Sequence, residues 1–360
     1  MILIPVVCWF RRIASAAVSV AVIALIAQAC TPPEKPSERN DRLIDQPENL
    51  PRDDSPTPDP EPFARGEMFT ELRQHTTTAI GEDTDPEIAP DGATLVFAST
   101  QHTPRFNLYS KTIDGRVLRQ LTDDPGDERF PRFSPDGKLL AYAATKNGNW
   151  DIFVGSSDQP GSTAECLTLD SKDSEICPTW SPDGTRIAFC SYSSRSRQWE
   201  LWIYDRRRRR REHLGAGFLP AWHPKKELVA FQKARYRDPD WYAIWTVDLT
   251  GNRTCELVAH ADWAAVQSSW SRCGNFLAFA TVGKDRGAAD PSGEFKPDNI
   301  WIVSQEGTTP AQITSESAIE AWPCWGPDGR LFFVSERSGY KNIWSIKPIL
   351  PEMVDMPEEQ

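Results

Sequence analysis

The sequence predicts an all-β fold, a six-bladed β-propeller of four-stranded blades, and three observations carry that prediction. One pattern, seen in full over residues 177–189 (CPTWSPDGTRIAF), occurs six times, starting at Pro86, Pro131, Pro178, Pro220, Ser268 and Pro323. The bulky residues two places into the copies (Ile88, Phe133, Trp180, Trp222, Trp270 and Trp325) are spaced by 45, 47, 42, 48 and 55 residues. Between copies lie short β-type runs and turn residues, and a repeat of this length built of strands and turns marks a propeller, not a helical solenoid.

Each element of the repeat has a local reason. In Ser181-Pro182-Asp183-Gly184, Ser and Pro suit the first positions of a type I turn, and Gly supplies the positive φ that closes a tight hairpin between strands one and two. Trp180 and Phe189 flank this turn and are expected in the seam between blades, since a blade is a single sheet that cannot cover its own faces. Strand three recurs six times as Asn107-Leu108-Tyr109, Asp151-Ile152-Phe153, Glu200-Leu201-Trp202, Ala243-Ile244-Trp245, Asn299-Ile300-Trp301 and Asn342-Ile343-Trp344. In the second copy the strands are expected at 130–133, 139–144, 151–154 and 165–168. A fourth strand follows five times, at 118–122, 166–169, 213–214, 256–258 and 312–314, and is missing from the sixth copy. Residues 72–77 (LRQHTT) match LRQLT at 118–122, so the N-terminal strand is expected to complete the last blade and close the ring. Copies four and five depart from the turn pattern at Lys225-Lys226 and Arg272-Cys273, which predicts altered turns there.

Ahead of the repeats, Arg11-Arg12 and the apolar run at 13–27 read as a secretion signal over residues 1–29, too short to span a bilayer comfortably. Its end, Ala27-Gln28-Ala29-Cys30, resembles a bacterial lipobox, and the resemblance implies lipidation at Cys30; an ordinary signal-peptidase site after Ala29 is the alternative. Thr31 is not the Asp that in some bacteria retains a lipoprotein at the inner membrane, which favours the outer membrane. Residues 30–66, rich in Pro, Asp, Glu and Ser, cannot bury enough apolar surface to offset their ordering entropy and are expected to be a disordered tether. The propeller is expected over 67–350, followed by a disordered tail at 351–360.

The chain has 360 residues and a formal charge of −11, more negative still once residues 1–29 with Arg11 and Arg12 are removed, so general nucleic-acid binding is excluded. The five histidines show no metal-ligand spacing, and there is no nucleophile elbow or P-loop. Cys190 takes a slot filled elsewhere by Ala98, Ala143 and Ala280. Cys166, Cys177, Cys255, Cys273 and Cys324 could form bridges outside the cytoplasm, and the sequence does not choose a pairing. The run of six arginines at 206–211 reads as a solvated hairpin or as an anion contact for lipid head groups or an acidic partner. Residues 284–299 form the longest insertion, a surface loop of blade five.

The motif P-x-W-S-P-D-G-x-x-I-A-F, followed by a D/N-I-W strand and an L-T strand, resembles the TolB-type, WD40-like propeller repeat over about residues 67–350. The resemblance concerns the propeller alone, with the tether standing where TolB has an α/β domain. It implies a non-catalytic, monomeric scaffold that binds an envelope protein or peptide, held at the extracytoplasmic face of a bacterial membrane. The alternative is a propeller enzyme acting on carbohydrate or peptide with a metal in the channel. Acidic residues recur three places before the inner-strand proline, at Asp83, Glu128, Glu175 and Glu320, with Asp85 nearby. They are expected to gather at one channel mouth as a candidate binding site for a basic peptide or calcium, with no other cofactor expected.

Overall fold

In the computed structural model, residues 68–234, 242–283, 297–315 and 318–349 are described. The signal segment with Cys30, the tether to residue 66, the tail at 351–360 and the 284–296 part of the insertion lie outside the described residues.

The chain enters as β1 (Phe69–Gln74) and then lays down its blades in order, each an antiparallel four-stranded sheet. Blade one is β2 (Asp83–Ile88), β3 (Thr94–Ser99), β4 (Asn107–Thr112) and β5 (Arg119–Gln120). Blade two is β6 (Glu128–Phe133), β7 (Leu139–Ala144), β8 (Asp151–Ser156) and β9 (Glu165–Cys166), with the one-turn helix α1 (Pro160–Thr163) before its last strand. Blade three is β10 (Ser174–Trp180), β11 (Arg186–Ser193), β12 (Gln198–Asp205) and β13 (Arg210–Ala216). Blade four is β14 (Phe218–Trp222), β15 (Leu228–Ala234), β16 (Tyr242–Asp248) and β17 (Arg253–Val258). Blade five is β18 (Trp263–Trp270), β19 (Phe276–Gly283), β20 (Ile300–Ser304) and β21 (Ala311–Gln312). Blade six is β22 (Glu320–Trp325), β23 (Leu331–Ser335) and β24 (Asn342–Pro348), completed by β1.

The ring therefore closes with the N-terminal strand. Phe69 pairs with Pro348, Thr70 with Lys347, Arg73 with Ser345 and Gln74 with Trp344. The strand lies slightly earlier than the 72–77 expected, because Thr76 acts through its side chain: the Ile343 N–H donates to Thr76 Oγ1 at 2.9 Å. This explains the L-T strand of the repeat. Thr122, Thr168 and Thr314 accept from Leu108, Ile152 and Ile300 in the same way, at 2.8–2.9 Å. Where no such threonine is present, the fourth strand runs further and its backbone reaches the same level, at Leu201 opposite Gly215 and Ile244 opposite Val258.

Every seam between blades is apolar. One cluster joins blades two, three and four through Trp180, Phe189 and Trp222, and others join one to two, four to five and five to six. The closing seam packs Ile88, Leu95 and Phe97 of blade one against Cys324, Phe332 and Ile343 of blade six. The anchor indoles also bridge polar groups: Trp180 Nε1 donates to Arg132 O at 3.0 Å and Trp270 Nε1 to Ala221 O at 3.2 Å, in each case in the preceding blade. Cys190 is fully buried in its alanine slot, and the six described cysteines are free thiols.

The hairpin turns follow the sequence with one correction. Gly92, Gly137, Gly184 and Gly329 have φ of +73, +71, +68 and +77°. Blade four departs as expected: His223 replaces the serine, its Nδ1 accepts the N–H groups of Lys225 and Lys226 at 3.0 Å, and its Nε2 donates to Gly274 O at 3.1 Å. Blade five does not depart. Gly274 keeps the positive φ, Phe276 N donates to Ser271 Oγ at 3.0 Å, and Cys273 Sγ stands 3.2 Å from that hydroxyl in the aspartate's place. The serine and glycine set the turn, so the replacements between them leave it intact.

The closing contact has a measurable consequence. Thr76→Val keeps the shape but leaves the buried Ile343 N–H without its acceptor, which costs about 1–3 kcal/mol. Urea unfolding followed by tryptophan fluorescence should show the midpoint falling with an unchanged slope; an unshifted midpoint would mean that this hydrogen bond adds nothing to stability.

Candidate functional site

The axis of the propeller is lined by the six inner strands, and each carries the same backbone irregularity. The residue before the repeat's first proline is left-handed in all six blades: Asp85, Phe130, Cys177, Leu219, Gln267 and Trp322, with φ of +53, +57, +56, +50, +55 and +54°. Strand pairing slips at each of these points, for instance between Arg129 and Arg132 in β6. Non-glycine residues avoid this region. The break is also why inner strands begin earlier than expected: Glu128 and Arg129 pair ahead of it and Arg132 after it.

These six residues line a narrow tier of the channel, a space of about 20 Å³. That is room for about one water molecule. Trp322 of blade six reaches past blade one to Phe130 of blade two, the ring centroids 5.6 Å apart. Arg129 lies over both rings, at 4.7 and 6.0 Å. Asp85 accepts from one edge of this guanidinium with both oxygens, Nε to Oδ2 at 2.8 Å and Nη2 to Oδ1 at 3.0 Å, and both side chains are buried. Removing one member of such a pair typically costs about 3–5 kcal/mol, since the other charge is left buried alone. Asp85 also accepts the Phe130 N–H at 3.3 Å, as Gln267 accepts that of Trp322 at 2.9 Å. Side chains of this tier thus tie neighbouring blades together at the constriction.

Beyond the constriction the channel widens into a funnel of about 390 Å³ toward the strand-one to strand-two turns. Its wall is the residue between proline and anchor in each copy: Glu87, Arg132, Thr179, Ala221, Ser269 and Cys324. Its rim is the second turn position: Pro90, Pro135, Pro182, Pro224, Arg272 and Pro327. Glu87 Oε2 lies 3.6 Å from Arg132 Nη1, and Glu87 also receives the Phe133 N–H at 3.4 Å and the Cys324 thiol at 3.5 Å. Arg272 Nη2 donates to Ile88 O of blade one at 2.9 Å, reaching past blade six.

The acidic residues expected at a mouth sit elsewhere. Asp85 alone of the five is among the channel-lining residues, and it is paired with Arg129. Asp83, Glu128, Glu175 and Glu320 are fully buried at the blade junctions, and each donates its N–H to a carbonyl of the preceding blade: Lys341, Phe106, Trp150 and Pro297. Glu128 accepts from Thr122 Oγ1 at 3.1 Å, Glu175 from Ser171 and Ser191 at 2.5 and 3.0 Å, and Glu320 contacts Arg337. The corresponding Gly217 has no room for a side chain, because a Cβ there would stand 2.6 Å from Phe231. Burial pushes Glu128 up to about 8 and Glu175 up to about 7, partly offset by these hydroxyls, and it raises Asp83 as well.

Among the described residues no group of three or more His, Cys, Asp and Glu side chains converges to hold a metal. The histidines are spread out, with His75 on Ser345, His102 against Tyr109, His213 beside Glu200, His223 in its turn and His260 on Trp263. The wall and rim residues were not singled out from the sequence. The signal was there in the alternation of the repeat: if the anchor points into the seam, its neighbour toward the proline points to the axis.

No protein-family profile matches the chain. Solved structures do resemble it. TolB from Agrobacterium tumefaciens aligns with a TM-score of 0.57 at 17% identity, over 74% of this chain and 90% of that one. TolB from Acinetobacter baumannii aligns at 0.55 and 14%, over 71% of this chain and 63% of that one, so the likeness spans less than two thirds of the Acinetobacter protein. An oligogalacturonate lyase from Vibrio parahaemolyticus aligns at 0.54 and 15%, over 77% and 93%. At these identities the likeness establishes a TolB-like propeller fold and nothing finer.

The buried carboxyls predict a pH dependence. A carboxyl whose native pKa exceeds its unfolded value takes up a proton on folding, so stability is greatest below the ordinary value of 4.5 and is lost as pH rises through about 8. Glu128→Gln, which keeps an acceptor for Thr122, should flatten the loss of melting temperature across that window and exceed the parent above it. A parent whose melting temperature rises over the same window would contradict the assignment.

Proposed function

We propose that this chain is a non-catalytic, TolB-like propeller that binds an envelope protein or peptide through the funnel at the turn end of its channel. The observation that carries this reading is the funnel itself, about 390 Å³, built by all six blades and ending at the aromatic constriction. Its wall and rim are mostly proline, indole edges and small polar groups, which suit an extended segment of a partner; its volume falls in the ordinary range of ligand pockets. The sequence features outside the described residues fit this role. The signal segment and Cys30 would deliver and anchor the chain on the extracytoplasmic side, and the tether would let the propeller search for its partner away from the membrane. Among the described residues no helix is long and apolar enough to cross a membrane.

The likeness to a lyase brings in the alternative, an enzyme with a channel-bound metal. That reading needs ligand groups on the axis, and the funnel wall offers Glu87 and Cys324, with Glu87 engaged by Arg132. The binding reading uses the groups that are present.

Photo-cross-linking in cells tests it. A photoreactive amino acid at Lys225, exposed beside the rim residue Pro224, should capture one envelope protein, and Ser269→Trp, which fills the funnel, should abolish the product. The same amino acid at Asn147, in the β7–β8 connection, should not give it. Identical products from both positions, or no effect of filling the funnel, would refute the proposal.

A further inference from the structure

The funnel lining is basic although the chain as a whole is acidic, with a formal charge of −11; the turn aspartates just outside the rim, such as Asp136 and Asp183, are held by the hydroxyl and N–H groups of their own turns. Two guanidiniums stand in the funnel, Arg132 in the wall and Arg272 where every other blade has proline at the rim. The single carboxylate of the lining, Glu87, is taken up by Arg132, the Phe133 N–H and the Cys324 thiol. Arg272 makes no ion pair among the described residues; one of its N–H groups goes to Ile88 O, and the other donors of the fork are available. The funnel interior therefore carries uncompensated positive charge.

The arginine run extends this charge outward on the same face. Arg206 N donates to Thr185 O at 3.0 Å, next to the turn whose Pro182 forms the rim. The Arg206 guanidinium lies 5.2 Å over Trp180, which lines the funnel. Arg209 and Arg211 turn sideways to Glu165 and Asp170 of blade two. Arg207 and Arg210 stay exposed, and so does Arg208, 3.6 Å from Asp205; Lys225 and Lys226, the latter on Gln305, are exposed beside the rim at Pro224. A basic strip thus leads from the β12–β13 turn of blade three toward the rim at Pro224 of blade four, which is the arrangement that steers an anionic ligand.

We infer that the funnel receives an acidic, extended segment of a partner protein, with a carboxylate against Arg272 and further acidic residues along the strip of Arg207, Arg208 and Lys225. This rests on the funnel being the binding site. A guanidinium fork matches a carboxylate in two parallel hydrogen bonds, so Arg272 supplies orientation as well as charge. The recess of the funnel between six blades favours an inserted peptide over a membrane surface, which could touch only the exposed strip.

The test uses the full chain with fluorescein-labelled hexaglutamate, hexaglutamine and hexalysine, and separately with phosphatidylcholine vesicles with and without phosphatidylglycerol. Hexaglutamate should bind best, with affinity falling as salt is raised. Arg272→Gln should weaken it about tenfold or more, and Arg272→Lys should fall between. The exposed pair Arg207→Gln and Arg208→Gln, which leaves the fold untouched, should slow association with little change in dissociation. Hexaglutamate bound no better than hexaglutamine, or bound equally after Arg272→Gln, overturns the inference. Capture of phosphatidylglycerol vesicles through Arg207 and Arg208, with no peptide binding that depends on Arg272, overturns it in favour of a membrane contact. If the Lys225 cross-link to an envelope protein survives while hexaglutamate fails, the binding site stands and only its acidic preference falls.

Discussion

The left-handed residue within each inner strand is the constraint on which the channel depends. Such residues cost about 1–3 kcal/mol each when they are not glycine. Asp85, Phe130, Cys177, Leu219, Gln267 and Trp322 all accept that cost at one level of the ring. What they gain is direction. By interrupting pairing, the bulge lets the residues before it stay with the blade junction and turns those after it toward the axis, so one strand serves a buried anchor such as Glu128 and a funnel residue such as Arg132. The strain is sustained by the tier's own ties, the Asp85–Arg129 pair and the acceptance of neighbouring N–H groups by Asp85 and Gln267.

Around this axis the blades hold one another through apolar seams, and no blade is self-sufficient. The anchors Trp180 and Trp270 bury their rings and place their indole N–H on the previous blade's inner strand. Ionic contacts follow the same geometry on the outside, as when Arg186 of blade three meets Glu227 of blade four at 2.7 Å and lies 5.0 Å over Trp222. The last seam is held by both ends of the described chain, β1 beside β24, so the ring is a closed stack with no free inner edge.

The fold was legible in the sequence because its determinants are local. The glycine that closes a hairpin, the threonine that accepts a strand-three N–H and the indole two places after a proline all recur at fixed offsets, and their chemistry needs no distant partner to be recognised. The site was legible only in part: alternation from the anchor sets its neighbour toward the axis, but which way the residues ahead of it face depends on a backbone break that composition does not reveal. Glu128 and Arg132 are four residues apart on one strand; simple alternation would set both on one side, while the bulge at Phe130 sends one into a junction under Thr122 and the other into the funnel. Likewise Arg272 and Cys273 looked like a disrupted turn, although Ser271 and Gly274 preserve it, and what the replacement of proline adds is a guanidinium at the rim.

The picture that results is a channel that narrows from the funnel at the turn face to the constriction at Trp322 and Phe130. Site-resolved labelling tests this most directly. Ala221→Cys places a thiol in the funnel wall, and Leu219→Cys places one at the constriction, two residues away on the same strand. With a bulky maleimide read by mass spectrometry, the account predicts rapid labelling at position 221, protection at 219, and exposure of 219 when Trp322→Ala is added. Equal labelling at the two positions in the chain that retains Trp322 would contradict it.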